Sequence, residues 1–490
     1  MLLRIKKHPI IDFKDYERIS FYFNDTKLHG FKGDSIASAL HAAGVKKLTT
    51  SLKYDRPRGF FCGIGKCSSC LMKVNKVPNV RTCIAPLNNG IHVETQEKLA
   101  GWPDVEFKSK AKETANVDIL VVGAGPAGLC ASLEAAGQGA SVLLVDENQT
   151  VGGQLVKQTH KFFGSKQEKA GTRGIQIAID LENDLKKFEQ NGKIKVMMDS
   201  TAIGYYEGDK EKQHKFAVVK REVYENTLYE LNCRAAIFAC GAMENMLLFP
   251  GNDLPGVYGA GAVQTLMNVF GVKPGKKIIM VGAGNVGLIV SYQLLQAGIE
   301  VDRVVEAMPQ IGGYHVHAAK LRRCGVPILT SHSIKEVYGN GKVEGAVIVK
   351  LDNNLQPVKG SEEKIDCDTI CLAVGLTPSI RFLYQVGAEM EFIPESGGYV
   401  ALHDDSMHTT IKGIYVAGDS SGIEEASTAM IEGKIAGLSA AISLGYKKKG
   451  GSPLKKQYMD ELDRLRAGPF GEKPRIGKYK ISKLLEKRHV

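Results

Sequence analysis

The chain has 490 residues, 43% apolar and 24% charged, which fits a globular protein with several cores and excludes disordered or fibrous classes. The net charge of +11 is concentrated at the end: residues 446–490 hold 14 Lys and Arg against 5 Asp and Glu, and the near-neutral remainder excludes a generally basic nucleic-acid binder. No apolar run approaches the ~20 residues of a membrane span, and Met1-Leu-Leu-Arg-Ile-Lys-Lys-His8 lacks the apolar segment of a secretion signal, so a cytoplasmic protein is expected.

In residues 1–100, Ile19–Phe23 alternates like a strand, Ser35–Ala43 is small and apolar like a short helix, and Leu71–Val74 and Ile91–Glu94 read as strands. Between them stand Cys62, Cys67, Cys70 and Cys83, spaced C-x4-C-x2-C-x12-C. Three thiolates folded into one loop, with a fourth arriving from the next strand, suit a [2Fe–2S] cluster. Zinc also takes four thiolates but favours paired C-x2-C knuckles, and one such pair is present. The other cysteines (Cys130, Cys233, Cys240, Cys324, Cys367 and Cys371) lie singly, mostly among apolar neighbours, and read as free thiols of a reducing compartment.

Residues 101–115 are polar and read as a linker. An apolar strand from Val117 then runs into Gly123-Ala-Gly125-Pro126-Ala127-Gly128, a helix to about Ala136, and a second strand that ends in Asp146 and Glu147. This is a βαβ dinucleotide unit. Gly123 makes the tight turn, Gly125 admits a pyrophosphate, Gly128 lets helix and strand approach, and an acid at the strand end binds a ribose hydroxyl. Gly153 and Gln154 follow in Val151-Gly-Gly-Gln-Leu155.

The arrangement recurs at Lys276–Val281, Gly282-Ala-Gly284-Asn285-Val286-Gly287, a helix to about Ala297, and a strand ending at Glu306. A carboxylate there favours the free 2′-hydroxyl of NAD(H), although Arg303 lies close in sequence. Further on, Thr410-Ile-Lys-Gly-Ile-Tyr-Val-Ala-Gly418-Asp419 is a strand ending in Gly-Asp, and a small-residue helix start follows at Glu424. His160, His315 and His317 read as structural histidines, and the basic segment 446–490 as a solvated or partner-docking tail.

These segments together resemble the two-dinucleotide flavoprotein reductases over residues 117 to about 445. Phe249-Pro-Gly-Asn-Asp-Leu-Pro-Gly-Val-Tyr-Gly259 and Pro78-Asn-Val-Arg-Thr-Cys83 narrow the resemblance. The chain is similar to the α-type subunits of the sarcosine oxidase, hydrogen cyanide synthase, opine oxidase and dye-linked proline or hydroxyproline dehydrogenase group. It departs from the long sarcosine oxidase subunits by ending at residue 490, and from other relatives by having no cysteine in 446–490.

The resemblance implies an α/β fold: two Rossmann-like dinucleotide-binding domains, the NAD domain inserted in the FAD domain, preceded by a small β-grasp [2Fe–2S] domain. The implied boundaries are 1–100 for the cluster domain, 116–255 and 381–445 for the FAD domain, and 256–380 for the NAD(H) domain. FAD would use the first glycine loop together with Gly418 and Asp419; NAD(H) would use the second loop. Expected partners are a β-type flavoprotein subunit that oxidises an amine or amino acid, and a small iron–sulfur protein. A self-contained NADH:acceptor oxidoreductase and a scaffold with a structural adenine nucleotide are the alternative readings. No catalytic side chain is named, because the cofactors carry the redox chemistry.

Lys66 sits inside the cysteine loop. Its charge is expected to favour the reduced, more negative cluster, so Lys66→Gln should lower the cluster midpoint in a redox titration. An unchanged midpoint would contradict this.

Overall fold

The computed structural model describes residues 3–13, 16–97, 101, 112–162, 169–207, 214–221, 226–446 and 451–488. Contacts divide the chain into two compact units, 1–107 with 244–375 and 108–243 with 376–490. The stretch 244–375 is therefore an insertion in the second unit. Its junctions fall earlier than the expected 255/256 and 380/381, because 244–255 is hydrogen-bonded into the first unit. Asn245 N–H donates to Gly375 O at 3.0 Å and Val337 N–H to Pro250 O at 2.9 Å. Of the expected linker, residues 102–111 lie outside the described residues, and Glu113 already opens the strand Glu113–Val122 by pairing with Tyr229.

The first unit begins with a five-stranded sheet, ordered Thr26–Phe31, Arg18–Phe23, His92–Glu94, Leu71–Val74, Val77–Arg81. Helix Ile36–Ala42 is buried along its whole length, which explains its small apolar sequence, and the Ser35 side chain caps it by accepting from Ser38 N–H at 3.1 Å. The inserted part carries a parallel sheet, ordered Val257–Gly259, Thr369–Leu372, Lys277–Val281, Glu300–Glu306, Ile328–Thr330. Helix Asn285–Gln296 makes the crossover between its third and fourth strands.

The N-terminal sheet is not a separate bead. Phe21, Leu40, Met72 and Val93 share one hydrophobic core with Tyr258, Val263, Leu266 and Met280 of the nucleotide part. Backbone bonds reinforce the seam: Ile5 N–H donates to Gly271 O at 2.8 Å, Lys273 N–H to Leu3 O at 2.7 Å, and Gly259 N–H to Phe61 O at 3.0 Å. The last of these fixes the start of the cysteine loop.

In the second unit, parallel pairing joins Ile194–Met197, Val142–Val145, Glu113–Val122, Asn226–Phe238 and Ile414–Val416. The strand Asn226–Phe238 is long enough to serve twice. Its first half pairs antiparallel with His214–Arg221 and its second half pairs with Ile414–Val416 inside the parallel sheet. Val142–Val145 is buried on both faces, as its unbroken apolar run requires.

Helices Pro126–Gln138 and Ala426–Ser443 pack backbone against backbone. A Cβ on Gly433 would lie 2.1 Å from Ala127 O, and one on Gly437 would lie 2.3 Å from Ala131 O. Glycines four residues apart clear one stripe of the later helix, so the two axes approach closely.

The expectation of a solvated tail is corrected for residues 451–488. Helices Gly451–Arg466 and Glu472–Arg488 belong to the second unit. Leu462 joins the core beneath helix Pro126–Gln138, and Ile481 packs with Ile393, Val400 and Leu402. Charge count hides this folding, because among the described residues most of the cations, such as Lys456, Lys473, Lys480 and Lys487, are exposed on the outer faces of these helices.

Gly433→Val should cost about 1–3 kcal/mol or more of second-unit stability through overpacking against a backbone oxygen. Lys434→Ala on the same helix, where the lysine lies over the Tyr458 ring, should cost less than about 1 kcal/mol. Denaturant melts of the two variants check the contrast.

Candidate cluster and dinucleotide sites

Four thiols converge at the edge of the N-terminal sheet. Cys62 exchanges hydrogen bonds with Cys67 and Cys83, and Cys70 with Cys83. These shared protons draw Cys62 and Cys70 below the ordinary thiol range and push Cys67 and Cys83 above it. The loop achieves this convergence with left-handed backbone at Gly63, Gly65 and Ser68 (φ +65°, +71° and +60°). Gly65 is required twice over, since a Cβ there would also lie 2.7 Å from Ile84 Cδ1. Cys83 is held in place by Thr82, whose hydroxyl donates to Cys70 O at 2.7 Å.

Backbone N–H groups point at sulfur: Ile64 to Cys62 Sγ at 3.5 Å and Gly65 to Cys83 Sγ at 3.3 Å. Such donors stabilise negative charge on a thiolate centre and raise its potential. Phe61 and Cys62 also pack with Val257, Ile279 and Leu372 of the adjoining parallel sheet. Cys62, Cys70 and Cys83 are buried and Cys67 is half-buried, and four thiols with N–H donors beside them are the donor set that suits an iron–sulfur cluster. Among the described residues no group of three or more His, Cys, Asp or Glu is already arranged to hold a metal ion, and His315 and His317 are not brought into one.

The first glycine loop shows where a nucleotide fits. A Cβ on Gly123 would lie 2.2 Å from Ala239 O and one on Gly128 would lie 1.7 Å from Gly123 O, so both glycines are consumed by the turn and by packing. Gly125 is different: only Gly153 Cα comes as near as 4.0 Å, which leaves open space in front of helix Pro126–Gln138. Pro126 opens that helix, where its missing N–H costs nothing, and Ala127 faces Gly418. Asp146 accepts from Ala124 N–H at 2.6 Å and from Asn148 N–H at 2.8 Å, tying the strand end to the loop. Burial pushes its carboxyl upward, against those bonds. Glu147 stands beside it, with its carbonyl accepting from Arg221 at 2.6 Å. Gly153 is left-handed (φ +53°), and Gln154 is exposed.

Gly418 and Asp419 arrive at the same place from the strand Ile414–Val416. Gly418 is left-handed (φ +67°), and a Cβ on it would lie 2.9 Å from Ala127 Cβ. Burial raises the Asp419 carboxyl to about 7, and the charges of Glu432 and Glu424 push the same way. The turn is braced by Glu432, which sequence reasoning missed. Its carboxylate accepts from Gly418 N–H at 3.0 Å. An acid inside the apolar run Met430-Ile-Glu-Gly-Lys-Ile-Ala-Gly437 was the available signal.

The second loop, in the other unit, repeats the plan. Gly282 and Gly287 are consumed by close contacts, with would-be Cβ atoms 2.3 Å from Ala373 O and 2.0 Å from Gly282 O, whereas Gly284 faces open space. Glu306 accepts from Ala283 N–H at 2.7 Å and from Met308 N–H at 3.0 Å. Arg303 is engaged by Asp302 (2.6 Å) and Glu363 (2.7 Å), so its guanidinium is committed away from a 2′-phosphate. Asn285 accepts from Tyr314 N–H at 2.8 Å, and Val286 is exposed at the start of its helix.

A matching element unnoticed in the sequence is Ile311-Gly-Gly313, the counterpart of Val151-Gly-Gly153. Gly152 N–H donates to Ala124 O at 2.8 Å, and Gly313 N–H donates to Ala283 O at 3.0 Å. Each pair seals the back of its glycine loop.

Residues 117–433 match the pyridine nucleotide-disulphide oxidoreductase family, and residues 16–98 match the 2Fe-2S iron-sulfur cluster binding domain. The chain belongs to the pyridine nucleotide-disulphide oxidoreductase family, as a flavin-dependent oxidoreductase carrying a 2Fe-2S domain. The family domain implies FAD and a pyridine nucleotide, and the N-terminal domain implies a [2Fe–2S] cluster.

Among its relatives, the alpha subunit of sarcosine oxidase from Rhizobium meliloti (strain 1021) is 27% identical over 481 residues, covering 85% of this chain and 45% of the relative. One of the opine oxidase subunits of Agrobacterium tumefaciens (strain Ach5) is 28% identical, covering 67% of this chain and 66% of the relative. The chain thus spans less than half the length of the sarcosine oxidase relative. Among solved structures, L-proline dehydrogenase from P. horikoshii aligns with a TM-score of 0.70 at 25% identity, covering 94% of this chain and 78% of that one. Thioredoxin reductase from T. acidophilum, at a TM-score of 0.53 and 20% identity, shares the fold over 67% of this chain and 99% of its own.

Gly125→Ala should leave the melting temperature near wild type and weaken FAD binding roughly tenfold or more, since its Cβ would enter the space in front of the helix. Gly128→Ala should instead fail to fold. Thermal melts and flavin fluorescence titration separate these outcomes, and equal effects in both variants would contradict the assignment.

Proposed function

We propose that this chain is an electron-transfer subunit of a heteromeric amine or amino-acid dehydrogenase. It passes electrons between a β-type flavoprotein partner, which acts on a proline, hydroxyproline or sarcosine-type substrate, and NAD(H) or another acceptor. The observation that carries the reading is the four-thiol loop built into the same core as the second dinucleotide fold. A one-electron centre is of little use to a simple hydride-transfer enzyme. Further support comes from relatives whose names are those of oxidase subunits.

The chemistry supplied by a bound FAD is conversion between electron pairs and single electrons, which a [2Fe–2S] centre takes one at a time. In this reading Gly125 admits the pyrophosphate, Gly123 makes the turn and Gly128 lets the helix pack beside it, and the N-terminus of helix Pro126–Gln138 directs its free N–H groups at that charge. Asp146 takes a ribose hydroxyl, and Asp419 contacts the stretch beyond it. Gly284 does the same as Gly125 for NAD(H), with Gly282 and Gly287 forming the turn and the helix packing, and Glu306 selects the unphosphorylated ribose by repelling a 2′-phosphate. Cys62, Cys67, Cys70 and Cys83 hold the iron. The N–H groups of Ile64 and Gly65 stabilise the added charge on reduction, and Phe61 keeps water from the Cys62 side of the loop.

Purification from native cells should bring down a second flavoprotein chain, and the complex should reduce a dye with a proline-type amino acid as donor. NADH, more than NADPH, should exchange electrons with the flavin in anaerobic mixing, and Glu306→Ala should narrow that preference. Robust NADH:dye turnover by the chain alone, with no co-purifying partner, would overturn the reading. Tight adenine-nucleotide binding without NADH oxidation would instead assign the second loop a structural nucleotide.

A further inference from the structure

We infer that the last two helices position the Gly418–Asp419 turn for the flavin nucleotide, acting through Arg466 and Lys478. The inference rests on the reading of Gly418 and Asp419 as FAD-binding residues and adds what fixes their place.

The argument starts from Glu432, which is 2% exposed in the middle of helix Ala426–Ser443. A carboxylate buried alone would take up a proton or unfold its surroundings. Here Arg466 donates to it at 2.7 Å and Lys478 approaches to 2.8 Å. Burial pushes the group upward, but these two cations and the Ser421 hydroxyl outweigh it and hold the carboxyl down at about 2. It therefore stays ionised and accepts from Gly418 N–H.

The same two cations grip the turn directly. Lys478 donates to Ser421 O at 3.1 Å and to Ser421 Oγ at 2.7 Å. Arg466 forms a two-pronged pair with Glu424, at 2.9 and 2.6 Å, where the turn ends. Both ends of 418–424 are thus tied to one pair of charges. The turn needs this, because Gly418–Ser421 is one short 3-10 turn closed by Gly422 N–H to Asp419 O at 3.2 Å, and Gly418 and Gly422 are left-handed (φ +67° and +134°).

The surroundings favour the arrangement. His403 Nε2 lies 3.4 Å from Lys478 Nζ. Burial, reinforced by the Lys478 charge, holds His403 neutral, with its pKa at about 4. Two carboxylates, Glu424 and Glu432, balance the two cations, and Asp419, the third acid of the cluster, accepts from Glu424 N–H at 3.4 Å and is acted on by the Lys478 charge. The side chains of Arg466 and Lys478 are 10% and 15% exposed, unlike the outward lysines of the same helices.

The full chain, stripped of flavin and titrated with FAD by fluorescence, tests this. Arg466→Met and Lys478→Met should each raise the FAD dissociation constant about tenfold or more and shift the visible band of bound flavin. Arg466→Lys, which keeps the charge but loses the fork to two carboxylates, should fall between wild type and Arg466→Met. Leu462→Ala and Ile481→Ala, which weaken the same helices through packing, should lower the melting temperature yet keep the wild-type constant and spectrum.

Wild-type affinity in the cation variants, or an equal loss in the packing variants, would overturn the inference while leaving the flavin site in place. Should Arg466→Met not fold, wild-type affinity in Arg466→Lys would overturn it as well. A wild-type chain that binds no FAD would remove both the inference and the reading beneath it.

Discussion

The contact between helices Pro126–Gln138 and Ala426–Ser443 is the constraint on which the first glycine loop and the Gly418–Asp419 turn depend. Gly433 and Gly437 let the later helix lie on the backbone at Ala127 and Ala131. That approach sets the Gly418–Asp419 turn against the first turn of the earlier helix, where free N–H groups and open space at Gly125 meet. No side chain larger than hydrogen fits at either glycine, so the geometry depends on backbone shape. Glu432, next to Gly433, then adds a charge that holds the turn through Gly418 N–H. Packing brings the elements together and the buried ion cluster fixes their register.

A similar division of labour governs the other unit. Apolar burial merges the N-terminal sheet with the second dinucleotide fold, and a few backbone bonds at residues 3–5, 61, 259 and 271–273 set the alignment. The cysteine loop is therefore held from both sides: by Ile84 and Thr82 of its own domain, and by the parallel sheet behind Phe61 and Cys62. A redox centre gains from such stiffness, because little reorganisation accompanies a change of charge.

Local signals were legible where one segment carries the chemistry. The cysteine spacing, and each glycine loop with the acid that ends its second strand, could be read because these residues follow one another in the chain. Assembly was less legible. The 446–490 segment looked solvated because its cation count outweighs its helical periodicity, and nothing local distinguishes Arg466 and Lys478 from their neighbours. Their role depends on Glu424 and Glu432, which lie 34 to 54 residues away in sequence. Gly313 escaped notice because its partner is a backbone carbonyl at Ala283, and the paired glycines repeat a motif too short to stand out alone. Glu113 joined the linker in the sequence reading because its pairing with Tyr229 is long-range.

The central claim is that one chain holds both a two-electron flavin and a one-electron iron–sulfur centre. Anaerobic reductive titration of the purified chain, followed by visible absorbance and electron paramagnetic resonance together, tests it most directly. The account predicts about three electron equivalents per chain, two for the flavin and one for the cluster, with the signal of a one-electron-reduced [2Fe–2S] centre. Uptake of about two equivalents with no paramagnetic signal, and zinc bound in place of iron, would contradict it.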